Sequence, residues 1–575
     1  MKVGFLSRAG IFTLLSLLTF YIYQINQSIF PTKGLMALFL FFATFLFGIT
    51  QISTEDDLTK FKKIDIKFWL CVVIFFAALI RLCVIDFGLP DQRFHSDESG
   101  KIKIINEMLS GHSLNSKHFL NPSLLLYLTM PISYVFDWIV YPIQWDWSAR
   151  TILAGRIVSC FAGIATVPLT YLIAKKITGK FGALFAAAIF AFAPLATTTS
   201  RYLTEDSLMT FWVAVVALLV LKSIKENSPK FLVLAGACVG LAASSKYPGG
   251  LTAIFLAVSP WIVSKKIIPD RKFLIWGCLA VLTSLLIFFA INPHIYLDLH
   301  LFFHDLEQER LNMNNVLAEK ILLSQSLFMF GIVKFLDPGL TTIGLFLSIL
   351  GFAALVKLSF KKPECIIIVL GIIVFYIVAE GTRANNARYL LPTLPFLSVC
   401  IGYLINNLIL EYRRLGIVIG VTILVLISSR STALAFSLKK DTRDLMKEWI
   451  EANIPKGSKI VVPFKGYAPM LSDDDYRIVY LKGNIPDYLK PKYFEAIKAD
   501  YVIMSSLYHN RFLSEFNPEE KEGKIIMKIL TSYKLVAQFV KPGLEYGYHN
   551  PDIRLLKIEP LSRRKLGTEP NYLIK

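Results

Sequence analysis

Thirteen apolar segments of roughly 16–21 residues recur along this chain, each about the length that crosses the hydrocarbon core of a bilayer as a helix. No other feature constrains the fold as tightly. In lipid the backbone must satisfy its own hydrogen bonds, so segments of this kind are helices gathered in a bundle. Only 18% of the 575 residues are charged and 54% are hydrophobic, against about 25% charged in soluble domains. That excludes a water-soluble enzyme of several domains. Aromatic residues at 13% exclude a disordered chain. The expected fold class is an α-helical polytopic membrane protein of about 13 transmembrane helices with a C-terminal soluble α/β domain.

The spans read as 10–27, 33–51, 67–86, 153–173, 181–199, 206–222, 231–245, 248–264, 272–291, 341–357, 364–380, 393–409 and 415–430. The domain organisation that follows is 1–66 (two N-terminal helices and a loop), 67–430 (a membrane domain) and 431–575 (an extracytoplasmic α/β domain). Lys2 and Arg8 precede the first span, but Gln24, Asn26 and Gln27 follow it without a small-residue cleavage site. It reads as a retained anchor helix rather than a signal peptide.

Orientation comes from the short loops. With the N-terminus in the cytoplasm, the inner loops hold 21 Lys and Arg and the short outer loops hold five, which fixes the hand by the positive-inside rule. Segment 121–142 is apolar enough to span, yet spanning would invert every later loop. It is expected to be re-entrant or to lie at the interface, as is 322–335. The blocks 87–152, 292–340 and 431–575 then share the outer side of the cytoplasmic (inner) membrane. The net charge of +19 sits mainly in inner loops, so it reads as topology signal and contact with lipid. No nucleic-acid partner is implied. The seven cysteines lie in or beside apolar segments without CxxC spacing, which fits small packing residues rather than a thiolate metal site.

The outer side also collects the unusual polar residues. The first block opens with DFGLPDQRFHSDESGK, placing His95, Asp97 and Glu98 just beyond a span. Adjacent carboxylates there suit a metal or a general base; a solvated loop start is the plainer alternative. RYLTEDSLMTFW sets Arg201, Tyr202, Glu205 and Asp206 at the mouth of a helix, where a carboxylate is either functional or a helix cap. SSKYPGG places Lys246 and Tyr247 outside, to reach lipid phosphates in general or one specific phosphate. EGTRANNARYLLPTLP adds Arg383, Asn385, Asn386, Arg388 and Tyr389. Together these point to an anionic ligand with apolar parts. His300, His304 and Glu307 share one helical face, a weak zinc pattern.

FHSDE, NPSLLLYL, RYLTEDSLMTFW, SSKYPGG and ARYLLPTLP occur here in one order. That ordered set resembles the GT-C glycosyltransferases, over about 67–430. The nearest likeness is to the bacterial branch of the dolichyl-phosphate-mannose protein mannosyltransferases, which includes the lipid A aminoarabinose transferases. The resemblance implies a catalytic aspartate at Asp97, paired with Glu98, in a stretch where Ser96 replaces a common proline. It implies a second-loop acid at Asp206, and cations at Lys246 and Arg388 facing the donor phosphate. Tyr247, Tyr389, Arg201, Tyr202, Arg383 and His95 would help bind substrate. The implied reaction moves a sugar from a polyprenyl-phosphate donor to a lipid, glycan or protein acceptor, with inversion by one-step displacement. No cofactor is firmly implied; a divalent metal, held by Asp97 and Glu98, stays open. The rival readings are a lipid-linked sugar transporter or flippase, and a surface polysaccharide polymerase or ligase.

Overall fold

The protein is described from a computed structural model covering residues 66–90, 95–139, 145–264, 268–315, 331–332, 336–381, 386–481, 491–510, 513 and 521–558. The expected spans 10–27 and 33–51 and nearly all of 322–335 lie outside these residues, as does Arg383.

Helices follow the apolar segments closely. In chain order they are α1 (Ile66–Leu82), α2 (Ser96–Ser110), α3 (Leu124–Ile139), α4 (Trp147–Ile177), α5 (Lys180–Phe192), α6 (Pro194–Thr199), α7 (Asp206–Glu226), α8 (Lys230–Ser245), α9 (Ala253–Ser264) and α10 (Arg271–Ile291). They continue with α11 (Leu299–Asn315), α12 (Thr342–Ser359), α13 (Ile366–Glu380), α14 (Leu394–Glu411) and α15 (Arg413–Ser437). Among the described residues, eight helical stretches are long and apolar enough to cross a membrane, and α3, α5 and α8 are shorter apolar helices. The chain is an integral membrane protein. The 121–142 segment does form a helix, α3, with Pro131 inside it.

Lipid gives no hydrophobic drive between helices, so close approach rests on small residues. Between α5 and α14, a Cβ at Gly182 would lie 2.4 Å from the Gly402 carbonyl oxygen, and one at Gly402 would lie 2.3 Å from that of Gly182. Any side chain there would push the two helices apart. At the opposite extreme α10 leaves Ile275, Leu279, Leu282, Leu285 and Leu286 exposed, as suits a face turned to acyl chains.

After α15 the chain enters an α/β region. Asp441 caps α16 (Thr442–Asn453) in a capping box with Asp444, which satisfies two otherwise orphaned backbone donors. Five strands follow: β1 (Lys459–Val462), β2 (Arg477–Tyr480), β3 (Tyr501–Ser505), β4 (Lys534–Phe539) and β5 (Ile553–Lys557). Their order is β2-β1-β3-β5-β4. β1 is parallel to β2 and β3, whereas β5 is antiparallel to β3 and β4. Alternate residues face opposite sides of a strand. Ile460, Val462, Ile503 and Leu555 therefore pack with Met446 and Ile450 of α16. Val461, Val502 and Leu556 take the other face and join a cluster containing Phe87 and Tyr202, from the segments before α2 and α7. That shared cluster seats the sheet against the segments that lead into α2 and α7.

Candidate active site

His95 holds an extended conformation (φ −111°, ψ 123°) and caps α2, its Nδ1 accepting the Asp97 backbone N–H at 3.2 Å. Asp97 and Glu98 therefore occupy the first turn, where the helix dipole favours negative charge. Successive helical residues point about 100° apart, and the two carboxylates diverge. Asp97 reaches Arg388, with Oδ2 2.8 Å from Nη1. Glu98 turns inward and is fully buried, its two oxygens accepting Nε and Nη2 of Arg156 at 2.8 and 2.9 Å. Glu98 also accepts the Leu203 N–H at 3.0 Å. The adjacent acids expected to share one ligand thus have separate partners.

Asp206 opens α7 and is fully buried. Its Oδ1 accepts Lys246 Nζ at 2.7 Å. Its Oδ2 has no hydrogen bond and lies 3.7 Å from Arg388 Nε. Lys246 sits at the break between α8 and the 3-10 turn Tyr247–Thr252, in extended backbone that swings its side chain toward α7. Its ammonium lies 4.5 Å from the Tyr389 ring centre, a cation–π distance. Arg388 and Tyr389 ride on a second 3-10 turn, Ala387–Thr393, capped by Asn386. Lys246, Asp206, Arg388 and Asp97 thereby form a line of alternating charge.

Electrostatics follow from that line. Burial opposes charge on Asp97, but Arg388, then His95 and Lys101, outweigh it and hold the carboxyl well below the usual range. Burial likewise opposes charge on Lys246, and Asp206 overcomes it, raising the ammonium above its ordinary value. Burial pushes His95 down to about 4, so its ring is neutral. With Nδ1 accepting from Asp97, its single proton lies on Nε2. Nε2 is 3.2 Å from Arg388 Nη1, which sets two N–H donors side by side.

Beside Lys246 and Asp206 opens a cavity of about 500 Å³. One polar end carries Asp206, Lys246, Tyr247 and Tyr389; Met209, Phe303, Leu306, Phe375 and Val378 line much of the rest, with Glu307, Glu309 and Arg310 also on its wall. The Tyr247 hydroxyl donates to the Phe119 carbonyl at 2.7 Å, tying this wall to the segment between α2 and α3.

Of the remaining expected residues, Glu307 lines the cavity wall and the others fall outside it. Tyr202 packs behind the site, its ring centre 4.6 Å from that of His95. Arg201 is fully buried and donates to the Ile80 carbonyl of α1, away from the cavity. Glu205 pairs with Lys101 at 3.1 Å. Glu307 is held by Arg310 and His304 lies against Asp305. Among the described residues no group of three His, Cys, Asp or Glu is placed to hold a metal ion. Asp97 and Asp206 face cations and Glu98 faces Arg156, so the donor set does not fit a divalent cation.

Sequence reasoning missed Arg156 and Lys101. Arg156 had a signal: it is a lone cation in the 153–173 apolar run, and such a charge needs a partner.

Residues 138–296 match the family described as dolichyl-phosphate-mannose-protein mannosyltransferase. That stretch holds Arg156, Asp206, Lys246 and Tyr247. The whole fold is similar to the apo crystal structure of the oligosaccharyltransferase from Archaeoglobus fulgidus, with a TM-score of 0.51 and 12% identity over 84% of this chain and 74% of that one. The chain has the GT-C fold. A further GT-C likeness is to ArnT from Cupriavidus metallidurans bound to undecaprenyl phosphate, with a TM-score of 0.48 and 13% identity over 85% of this chain and 98% of that one. No curated protein matches the sequence.

Proposed function

We propose that this GT-C chain is a glycosyltransferase that moves a sugar from a polyprenyl-phosphate donor to an acceptor hydroxyl at the outer face of the cytoplasmic membrane. The observation that carries the reading is a largely apolar cavity of about 500 Å³ that opens on Lys246 and Asp206, with Arg388 and then Asp97 next in the same line of charge, both cations being part-buried. An amphiphilic phosphate fits that arrangement. Its polyprenyl chain lies along Phe303, Leu306 and Phe375, and its phosphate meets Lys246, Arg388 and the Nε2–H of His95.

Charge exchange links donor binding to chemistry. Before binding, Asp97 neutralises Arg388, and an aspartate so paired is a weak base. An arriving phosphate competes for the guanidinium, loosens that pair and raises the basicity of Asp97. The carboxylate then takes the acceptor proton as the hydroxyl oxygen attacks the anomeric carbon. The sugar–phosphate bond breaks in the same displacement, inverting the anomeric centre. Lys246 and Arg388 stabilise the charge that grows on the leaving phosphate. Asp206, fully buried between them, holds both cations in place.

In purified, reconstituted protein, Lys246→Ala and Arg388→Ala should each raise the KM for the donor by about tenfold or more, the worth of a charged hydrogen bond. Unchanged KM in both would remove the phosphate assignment. Wild-type protein that moves lipid-linked sugar across vesicles without releasing polyprenyl phosphate would favour a transporter. The orientation has its own check: a reporter fused after Lys575 should be active only outside the cytoplasm, and cytoplasmic activity would overturn the outer-face placement.

A further inference from the structure

We infer that the β4–β5 connection of the C-terminal region reaches into this site and that Tyr548, at its tip, is a positioning residue that acts through His95 on Arg388 and Asp97. The inference rests on the glycosyl-transfer reading above and adds to it a role for the C-terminal region.

The geometry is specific. The connection runs from Phe539 to Ile553 and turns tightly at Gly547, whose φ of +60° favours glycine. Tyr546 and His549 bridge across that turn. Tyr548 is thereby set against the membrane domain, its ring centre 4.1 Å from that of His95 at an interplanar angle of 50°. Tyr202 also lies against His95, at 4.6 Å, and its ring meets that of Tyr548 edge to face at 6.3 Å. The imidazole, Tyr202 and Tyr548 form one cluster of three rings, with a tyrosine from each part of the chain, and the imidazole is only 1% exposed. The Tyr548 hydroxyl accepts from Asn386 Nδ2 at 3.2 Å, and Asn386 is the cap of the turn that carries Arg388. One side chain of the C-terminal region thus touches both the cap of Asp97's helix and the cap of Arg388's turn.

The connection is also firmly anchored. Arg443 Nη2 donates to the Tyr548 carbonyl at 2.6 Å, and Arg443 is itself paired with Asp441 at 2.8 Å. Asp441 Oδ2 accepts the Asn550 N–H at 2.8 Å, and Asn550 Nδ2 donates to Ser437 Oγ at 2.8 Å, at the end of α15. Thr442 Oγ1 donates to the Pro551 carbonyl at 2.7 Å. Asp441, Arg443 and Asn550 are all at most 1% exposed. These buried hydrogen bonds fix the connection at several points, so the ring of Tyr548 is held where His95 needs a wall. If His95 tilts, it loses both the Asp97 N–H and its place beside Arg388.

The test compares Tyr548→Leu with Tyr548→Phe in the full chain, reconstituted in lipid, normalised to folded protein. Turnover is read as release of polyprenyl phosphate. His95 packing is read separately, by diethylpyrocarbonate labelling and mass spectrometry of its peptide. Tyr548→Leu should lower kcat by about tenfold with a smaller change in donor KM, while Tyr548→Phe, which keeps the ring, retains most of the activity. His95 should be protected in the wild type and in Tyr548→Phe, and labelled in Tyr548→Leu. In a His95→Ala background Tyr548→Leu should cost little more, since residues acting through one another are not additive. Wild-type turnover in Tyr548→Leu, or equal losses in the Leu and Phe variants, would overturn the positioning role. Should Tyr548→Leu not fold, Tyr548→Met takes its place with the same two readouts. A wild type that releases no polyprenyl phosphate would defeat the transferase reading alone; protection of His95 that is lost on removing the ring would still establish the contact, and protection unchanged would refute it.

Discussion

Asp97→Asn should lower sugar transfer by at least about 10²-fold, the lower end of what the loss of a general base removes. The substitution keeps the shape of the side chain and its place in the first turn of α2, but removes both the charge and the proton acceptor. Donor binding should not suffer with it. Asp97 occupies Arg388 at 2.8 Å before the phosphate arrives, so neutralising it removes a competitor. The KM for the donor should hold or fall while kcat collapses. That split separates Asp97 from Lys246 and Arg388, whose loss raises KM as well as lowering kcat. The measurement is release of polyprenyl phosphate against donor concentration, wild type beside variant. Equal turnover in the two would take Asp97 out of the chemistry.

Much of the membrane domain is legible in the sequence because lipid enforces length and apolarity together. The runs 206–222 and 272–291 became Asp206–Glu226 and Arg271–Ile291. Where the chain leaves lipid, that rule stops. The expected span 67–86 ends at Leu82, since the next residues wind through turns with Val84 and Gly88 at positive φ. Hydropathy has no view of a turn. The 121–142 segment satisfied the length rule too, and it was the charge of the later loops, not its own composition, that argued against a full span.

The site divided in the same way. Asp97, Asp206, Lys246 and Arg388 stand out because charge beside an outer helix end is conspicuous, and the fold brings these four together. Glu98 was read with Asp97 because they are neighbours in sequence. On a helix, neighbours diverge, and which one enters the site depends on a partner 58 positions away, Arg156. Arg201 is expected to help bind substrate, yet the turn before α7 sends it to the end of α1. Tyr548 carries no motif and lies 453 positions from His95; only the strand order and the turn at Gly547 place it there.

The second large effect is expected at Arg156, on stability rather than on chemistry. Its pair with Glu98 has both side chains at zero exposure. Taking such ions out of water is costly, and the pair is held by completeness: Glu98 has the guanidinium and the Leu203 N–H, and Arg156 also donates to the carbonyls of Ile85 and Phe87 at 2.9 Å. The guanidinium carbon stands 3.9 Å from the Phe87 ring centre. Arg156→Met leaves a buried carboxylate with its main partner gone, which typically costs about 3–5 kcal/mol. The unfolding midpoint in lipid or mild detergent should fall accordingly. The double variant Arg156→Met with Glu98→Leu should recover much of that loss, because apolar residues of similar size commonly replace a buried pair at little cost. A double variant as unstable as the single would mean that the hydrogen bonds to Ile85, Phe87 and Leu203 carry the stability. Arg156→Met that keeps its midpoint but loses turnover would instead put the pair in the reaction. Neither is expected: the pair ties the first turn of α2 to α4 and to the segment before Asp206, so it fixes where Asp97 and Asp206 stand without touching what they bind.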